Sequence, residues 1–157
     1  MNSKSKLEGN YKEYVENLLF NHDIVLVSQF IKDLSFEKNE DFLYFEEEDF
    51  KGKTNFDLNI DITHQERDEN TLILTLFTNL KGSLNDKNIF VMELSYCGVF
   101  QLPDVSPDLL EKQLKVECPK ILFPYVRRII SQMMIESGLP NVDIKNINFF
   151  DLYKKNK

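Results

Sequence analysis

Three groups of residues in this 157-residue chain are of types that do chemistry. His64 stands between Asp61 and Glu66, and an imidazole flanked by carboxylates is the material of a general base. These residues fall at the end of a strand-like run, where water reaches them, whereas acid–base work needs fixed geometry. Cys118 precedes Pro119 at what reads as a helix start, where the helix dipole favours a thiolate. A small apolar thiol packed in a core accounts for the same residue. The stretch Phe45–Asp49, FEEED, offers adjacent carboxylates, but their mutual repulsion disfavours the regular packing a catalytic pair requires. The two cysteines, Cys97 and Cys118, and the two histidines, His22 and His64, make no CxxC pair and no four-ligand zinc spacing. Neither a glycine-rich phosphate loop nor a G-x-S-x-G elbow is present. The chain reads as a protein that is not an enzyme and uses no metal and no cofactor.

What the composition offers instead is surface. Hydrophobic residues make up 42% of the chain, with 13 Phe and 6 Tyr, enough for a substantial core. The formal charge of -7 argues against binding to nucleic acid or an anionic membrane, since both need clustered Lys and Arg. It suits solubility and a basic partner. The opening MNSKSKLEGNYKEY lacks an apolar signal core, and no stretch reaches the roughly 18 apolar residues of a membrane span. The expectation is a cytoplasmic protein with free thiols and no stable membrane insertion.

Periodicity places the elements. Leu7, Tyr11, Tyr14, Val15, Leu18 and Leu19 recur at helical spacing and predict an amphipathic helix over Leu7–Phe20. Ile24–Glu37 reads as a first strand with Leu26, Phe30, Leu34 and Phe36 on one face. Residues 38–53 read as an acidic loop with aromatic anchors. Thr54–His64 alternates strictly, with Phe56, Leu58, Ile60 and Ile62 inward. Thr71–Leu80 and Asn88–Phe100 complete four strands joined by short polar turns, which means an antiparallel sheet. Ser106, Pro107 and Asp108 then spell a helix start. That helix is expected to stop before Pro119, because the residue preceding a proline is pushed out of helical geometry. A second helix follows from Pro119 to Ser137, ended by Gly138 and Pro140, and a last short one covers Phe149–Lys155. Strands first and helices after give an α+β fold: a four-stranded antiparallel sheet with helices on one face.

Such a fold has more apolar surface than one chain easily hides. From Ile121 to Ile135 the second helix is apolar nearly all round, and a helix of that kind is normally buried on every side. Pro124 lies early in it, where a missing N–H costs little. The surplus predicts other subunits or a bound chain.

The segment CPKILFPYVRRIIS (118–131) resembles the signature of the SecB family of protein-export chaperones, whose helix start reads CP-x-x-LFPYAR. FIKDLSFE (Phe30–Glu37), FVMELSYCGVF (Phe90–Phe100) and INFFDLY (Ile147–Tyr153) resemble three further family segments, in the same order. The resemblance covers residues 26–153. It divides the chain into an N-terminal extension (1–25), one SecB-like chaperone domain (26–153) and a basic tail (154–157). It implies a homotetramer, a dimer of dimers, that holds unfolded precursor proteins in long apolar grooves and delivers them to the SecA ATPase without ATP or metal of its own.

The resemblance also assigns roles. The SecA-binding acids of the family match Asp33, Glu37 and Glu93, with Val91 beside them, all facing outward. Phe90, Met92, Leu94 and Tyr96 match assembly positions, and Phe123, Ile129 and Met133 on the long helix join them as the oligomer interface. The client groove is assigned to Phe36, Phe42, Tyr44, Phe45, Phe100, Leu102 and Tyr125. The chain departs from the family pattern at the helical N-terminus, at Val126 in place of a small Ala, at Ser95–Cys97 before Gly98, and in the basic KKNK ending. Two other readings stand beside export: a SecB-like chaperone dedicated to one client such as an antitoxin, and a structural oligomer subunit that binds no client.

Overall fold

The computed structural model describes residues 23–44, 46, 48 and 54–157. The helix expected over Leu7–Phe20 and most of the acidic–aromatic run 45–53, including Phe45, lie outside the described residues.

Strands β1 (Val25–Lys38), β2 (Thr54–Glu66), β3 (Thr71–Leu84) and β4 (Lys87–Gln101) form one antiparallel sheet in the order β1-β4-β3-β2. The β3–β4 hairpin closes on Asn85 and Asp86, both at positive φ (50° and 64°). This is the backbone of a tight hairpin turn, and Asn and Asp tolerate it better than most side chains. The β2–β3 turn is held by Asp68, whose Oδ1 accepts the N–H of Asn70 at 3.3 Å and of Thr71 at 3.0 Å. Hydrogen bonding from Thr71, then from Asn70, keeps the Asp68 carboxyl below its ordinary range. Between β1 and the described part of the acidic run, Glu40–Phe42 makes a 3-10 turn capped by the Asn39 side chain.

β1 differs from its expected pattern. Its pairing with β4 shifts register twice, between Leu26 and Ser28 and between Ile31 and Asp33. Each extra residue inverts the alternation that follows it. Phe30 therefore pairs with Cys97 on the outer face while Ile31 pairs with Tyr96 on the inner one, so Phe30 leaves the face it was expected to share with Leu26, Leu34 and Phe36.

The helices depart in one respect. Ser106 caps α1 (Pro107–Lys112), its Oγ accepting the Leu109 N–H at 3.4 Å. The chain does not leave helical geometry before Pro119. A π turn over Gln113–Glu117 leads directly into α2 (Cys118–Glu136), and Cys118 itself is helical at φ -64°, ψ -47°. The Cys118 N–H reaches back to the Gln113 carbonyl, five residues away. A wider turn of this kind re-phases the carbonyls just where Pro119 brings no N–H to meet one. Gly138 (φ 69°) ends α2 as expected, with the Leu139 N–H on the Met134 carbonyl at 3.0 Å. After residues without regular structure, anchored by buried Leu139 and Ile144, α3 (Phe149–Lys155) closes the fold.

The core lies between α2 and the inner sheet face. Cys118, Leu122, Val126, Ile130 and Met134 follow one another at intervals of four, all at 0% exposure. They meet Leu72, Leu74, Leu76 and Leu80 of β3 and Phe90, Met92, Leu94 and Phe100 of β4, all buried. The neighbouring stripe, Ile121, Tyr125, Ile129 and Met133, stays half-buried or exposed. Close approach needs Gly98: a Cβ there would come within 2.6 Å of the Phe100 ring and 2.9 Å of Leu122.

Candidate functional site

On the outer face, β1 and β4 place the four assigned residues side by side. Glu37 pairs with Val91, Ser35 with Glu93 and Asp33 with Ser95. Asp33, Ser35 and Glu37 point the same way because side chains alternate along a strand. The result is three exposed carboxylates around a half-buried valine, on two neighbouring strands. The row continues through β3, where Asn79 pairs with Glu93 and its Nδ2 donates to Glu93 Oε1 at 3.1 Å. Sequence reasoning missed Asn79, because only the register brings it beside Glu93. Phe30 and Phe77, 41% and 36% exposed, add apolar surface to the same face.

The inner-face assignments fare unevenly. Phe90, Met92 and Leu94 are 1% exposed, Tyr96 6% and Phe123 3%, so this chain's own core covers them. The packing of the core is the reason: the β4 residues lie in the cluster between sheet and helix, with Phe36 and Phe56 against the Phe90 ring, and Phe123, on α2 itself, meets Phe149 edge-on at 5.7 Å. Of the assembly residues, Ile129 and Met133 remain half-buried on the outward stripe.

The groove residues fall in separate places. At one end of the sheet Phe36 stacks on Phe90 at 5.4 Å, and Phe56 tilts against the same ring at 6.3 Å. Phe42 is half-buried nearby in sequence and Tyr44 is 85% exposed. Lys38 fastens this region to the end of α2, its Nζ donating to the Leu43 carbonyl at 3.2 Å and to the Ser137 carbonyl at 3.0 Å. Six residues along β4, Tyr125 stacks on Tyr96 at 6.4 Å and stays 38% exposed. Phe100 and Leu102 are buried, at 0% and 5%, so Phe100 lines no open surface within this chain. Phe56 (39% exposed) and Leu43 (64%) were not among the assigned residues. The inward parity of Phe56 in TNFDLNIDITH could have found it; nothing singled out Leu43.

The chemistry-bearing groups take plain roles. Cys118 is fully buried in mid-helix, and burial, reinforced by the Glu117 charge, pushes its thiol up to about 12. That is the opposite of an activated thiolate. Glu117 is itself 2% exposed, its carboxyl raised by burial, with Lys120 opposing. Cys97 is buried on the outer face, its Sγ 3.3 Å from Thr75 Oγ1.

Comparison with known proteins agrees with this architecture. The family model described as "Preprotein translocase subunit SecB" matches residues 20–157. The protein-export protein SecB of Orientia tsutsugamushi (strain Boryong) is 37% identical over 129 residues, 82% of this chain and 80% of that protein. That of Hyphomonas neptunium is 36% identical over 131 residues, 82% of this chain and 75% of its own length. Among solved structures, a Mycobacterium tuberculosis SecB-like chaperone in complex with a peptide from the HigA1 antitoxin shares the fold, with a TM-score of 0.68 over 85% of this chain and 97% of that one, at 9% identity. An α+β sheet-and-helix fold, a matching family model over most of its length and relatives above one-third identity together make this chain a member of the SecB family of protein-export chaperones.

Proposed function

We propose that this protein is an ATP-independent holdase that keeps unfolded precursor proteins translocation-competent in the cytoplasm and delivers them to SecA. The observation that carries the reading is the outward quartet. Asp33, Glu37 and Glu93 surround Val91 on one sheet face, in a SecB-family chain. Carboxylates around an apolar spot suit a partner segment that is basic with an apolar anchor, and such complementarity steers and orders encounter. The aromatic surface at Phe36, Phe42, Tyr44 and Tyr125 is the adaptable kind that holds varied apolar clients. Two features support a dimer of dimers. β1 is an edge strand, with no strand on its outer side among the described residues and with Val25, Val27 and Ile31 between 46% and 55% exposed, and α2 carries the outward stripe of Ile121, Tyr125, Ile129 and Met133.

The test is light scattering on the eluting protein, alone and with a chemically unfolded precursor. A mass of four subunits that gains one unfolded chain and ignores the folded form is the expected result. A monomer, or an oligomer indifferent to unfolded chains, ends the holdase reading. A chaperone dedicated to one client needs no such trio of acids, so Glu93→Lys separates the readings. Lost SecA binding with client binding intact supports export, and unchanged SecA binding removes the assigned plate.

A further inference from the structure

The outer face of the sheet changes character along its length. Its rows through Val91, Glu93 and Ser95 of β4 are acidic: besides Glu93 they hold Glu37 and Asp33 of β1. Through Lys81 and Phe77 of β3 the same rows reach Asp57 and Asp61 of β2, both exposed. The cations there are Lys81 and, at the second register shift of β1, Lys32. Asp61 also borders an edge cavity with Lys115 and Lys157, so the other acids carry most of the field. Beyond Ser95 the face turns apolar. Phe77 pairs with Ser95, Phe30 and Thr75 flank Cys97, and Ile73 pairs with Val99. Phe77, Phe30, Ile73 and Val99 therefore adjoin on one face across three strands. Among the described residues, these four and Val91 stand outside the core cluster and outside the shell packed against it. Single apolar residues on a surface are ordinary, but a continuous patch rimmed by polar groups marks a contact.

We propose that this face is a bipartite docking surface for one partner segment, with basic residues over the rows from Val91 to Ser95 and an apolar run over the rows from Ser95 to Val99. Charge complementarity and continuity carry the inference. The two halves meet in one row, Asp61–Phe77–Ser95–Asp33, so a single segment crosses from acids to aromatics without a gap. Val91 to Val99 along β4 spans about 27 Å. The acids draw the segment in and orient it, and the apolar half holds it by burial. The identity of the partner rests on the export reading: SecA supplies the segment, and Phe30 and Phe77 join Asp33, Glu37 and Glu93 in choosing it.

The experiment is methyl-resolved NMR on the full chain, titrated with a synthetic peptide whose lysines all precede its phenylalanines and which spans the face when extended. The isomer in which the two residue types alternate is the control. The expected result is shifts of the Ile73, Val91 and Val99 methyls, with the blocked peptide bound several-fold more tightly than the alternating one. Shifts confined to other methyls, or equal affinities, overturn the bipartite surface. Full-length SecA is then titrated onto the parent protein, Glu93→Lys and the double variant Phe30→Thr, Phe77→Thr, in which threonine keeps the strand propensity. The double variant is expected to lose SecA affinity several-fold at low and high salt alike, whereas the loss in Glu93→Lys shrinks as salt rises. Intact SecA affinity in the double variant, with the loss in Glu93→Lys, overturns the apolar half and leaves the export reading standing. If neither variant changes SecA binding while the peptide still shifts the three methyls, the export reading falls and the docking surface stands. The peptide arm uses the unaltered chain, so it decides even where the double variant folds poorly.

Discussion

Glu93 and Cys118 carry the residue-scale predictions. Asn79 holds the Glu93 carboxylate at 3.1 Å, so part of the ordering that a partner would otherwise impose is already in place. Under the export proposal, Glu93→Lys lowers SecA affinity by about tenfold or more, with the loss largest at low salt. Titration calorimetry at two salt concentrations checks this, and an unchanged affinity rules the plate out. For Cys118 the sign follows from burial. Its pKa rises from 9.0 to about 12 on folding, so the folded state favours the protonated thiol. The stability this lends is complete below pH 9 and is lost as pH climbs from 9 towards 12, on the order of 4 kcal/mol across the window. Urea melts of Cys118→Ala are expected to show a flatter decline there than the parent protein. Glu117 acts in the same sense at lower pH, since burial raises its carboxyl above 4.5. Sequence alone showed Cys118 beside a proline and placed it at a helix start. Its true position, under mid-helix packing, depended on a π turn that no residue type announces.

At the scale of elements, most of the fold was legible because each signal was local. Strict alternation marked β2, Ser106 with Pro107 marked α1, and Gly138 with Pro140 ended α2. Two features escaped for one reason: each inserts a residue into a regular repeat without changing composition. The two register shifts in β1 sent Phe30 to the outer face, and the π turn carried the helix through Pro119. Gly98 supplies the test of how tightly α2 sits. A methyl there meets the Phe100 ring and Leu122, and the ring is wholly buried. Gly98→Ala is expected to destabilise the subunit by about 1–3 kcal/mol, the usual cost of overpacking a filled core. Equilibrium urea unfolding measures it, and a Gly98→Ala, Leu122→Val double variant should recover part of the loss.

For the whole molecule, the sequence announced surplus apolar surface, and the structure shows which part of it the chain covers by itself. The resemblance assigned Phe90, Met92, Leu94 and Tyr96 to assembly, and within this chain all four are buried in its own core. A single chain cannot reveal from its letters which apolar stripe its own helix covers and which it leaves to a neighbour. The outward stripe is where the proposed assembly is most exposed to test. Ile129→Asp places a charge on it without touching the 0% exposed stripe beside it. Sedimentation velocity is expected to show smaller species with native circular dichroism. A species of unchanged size moves the interface elsewhere.

The strand order also sets a schedule for synthesis. β1 is made first of the strands, yet among the described residues its one neighbour in the sheet is β4, made last. Lys38 must wait for Phe90 and Val25 for Gln101. At the usual pace of translation that is a delay of roughly 3 to 15 seconds. Throughout it, a run containing Val25, Val27, Phe30 and Ile31 stands unpaired outside any fold. On the ribosome each new copy is briefly the kind of chain that the finished protein is proposed to hold.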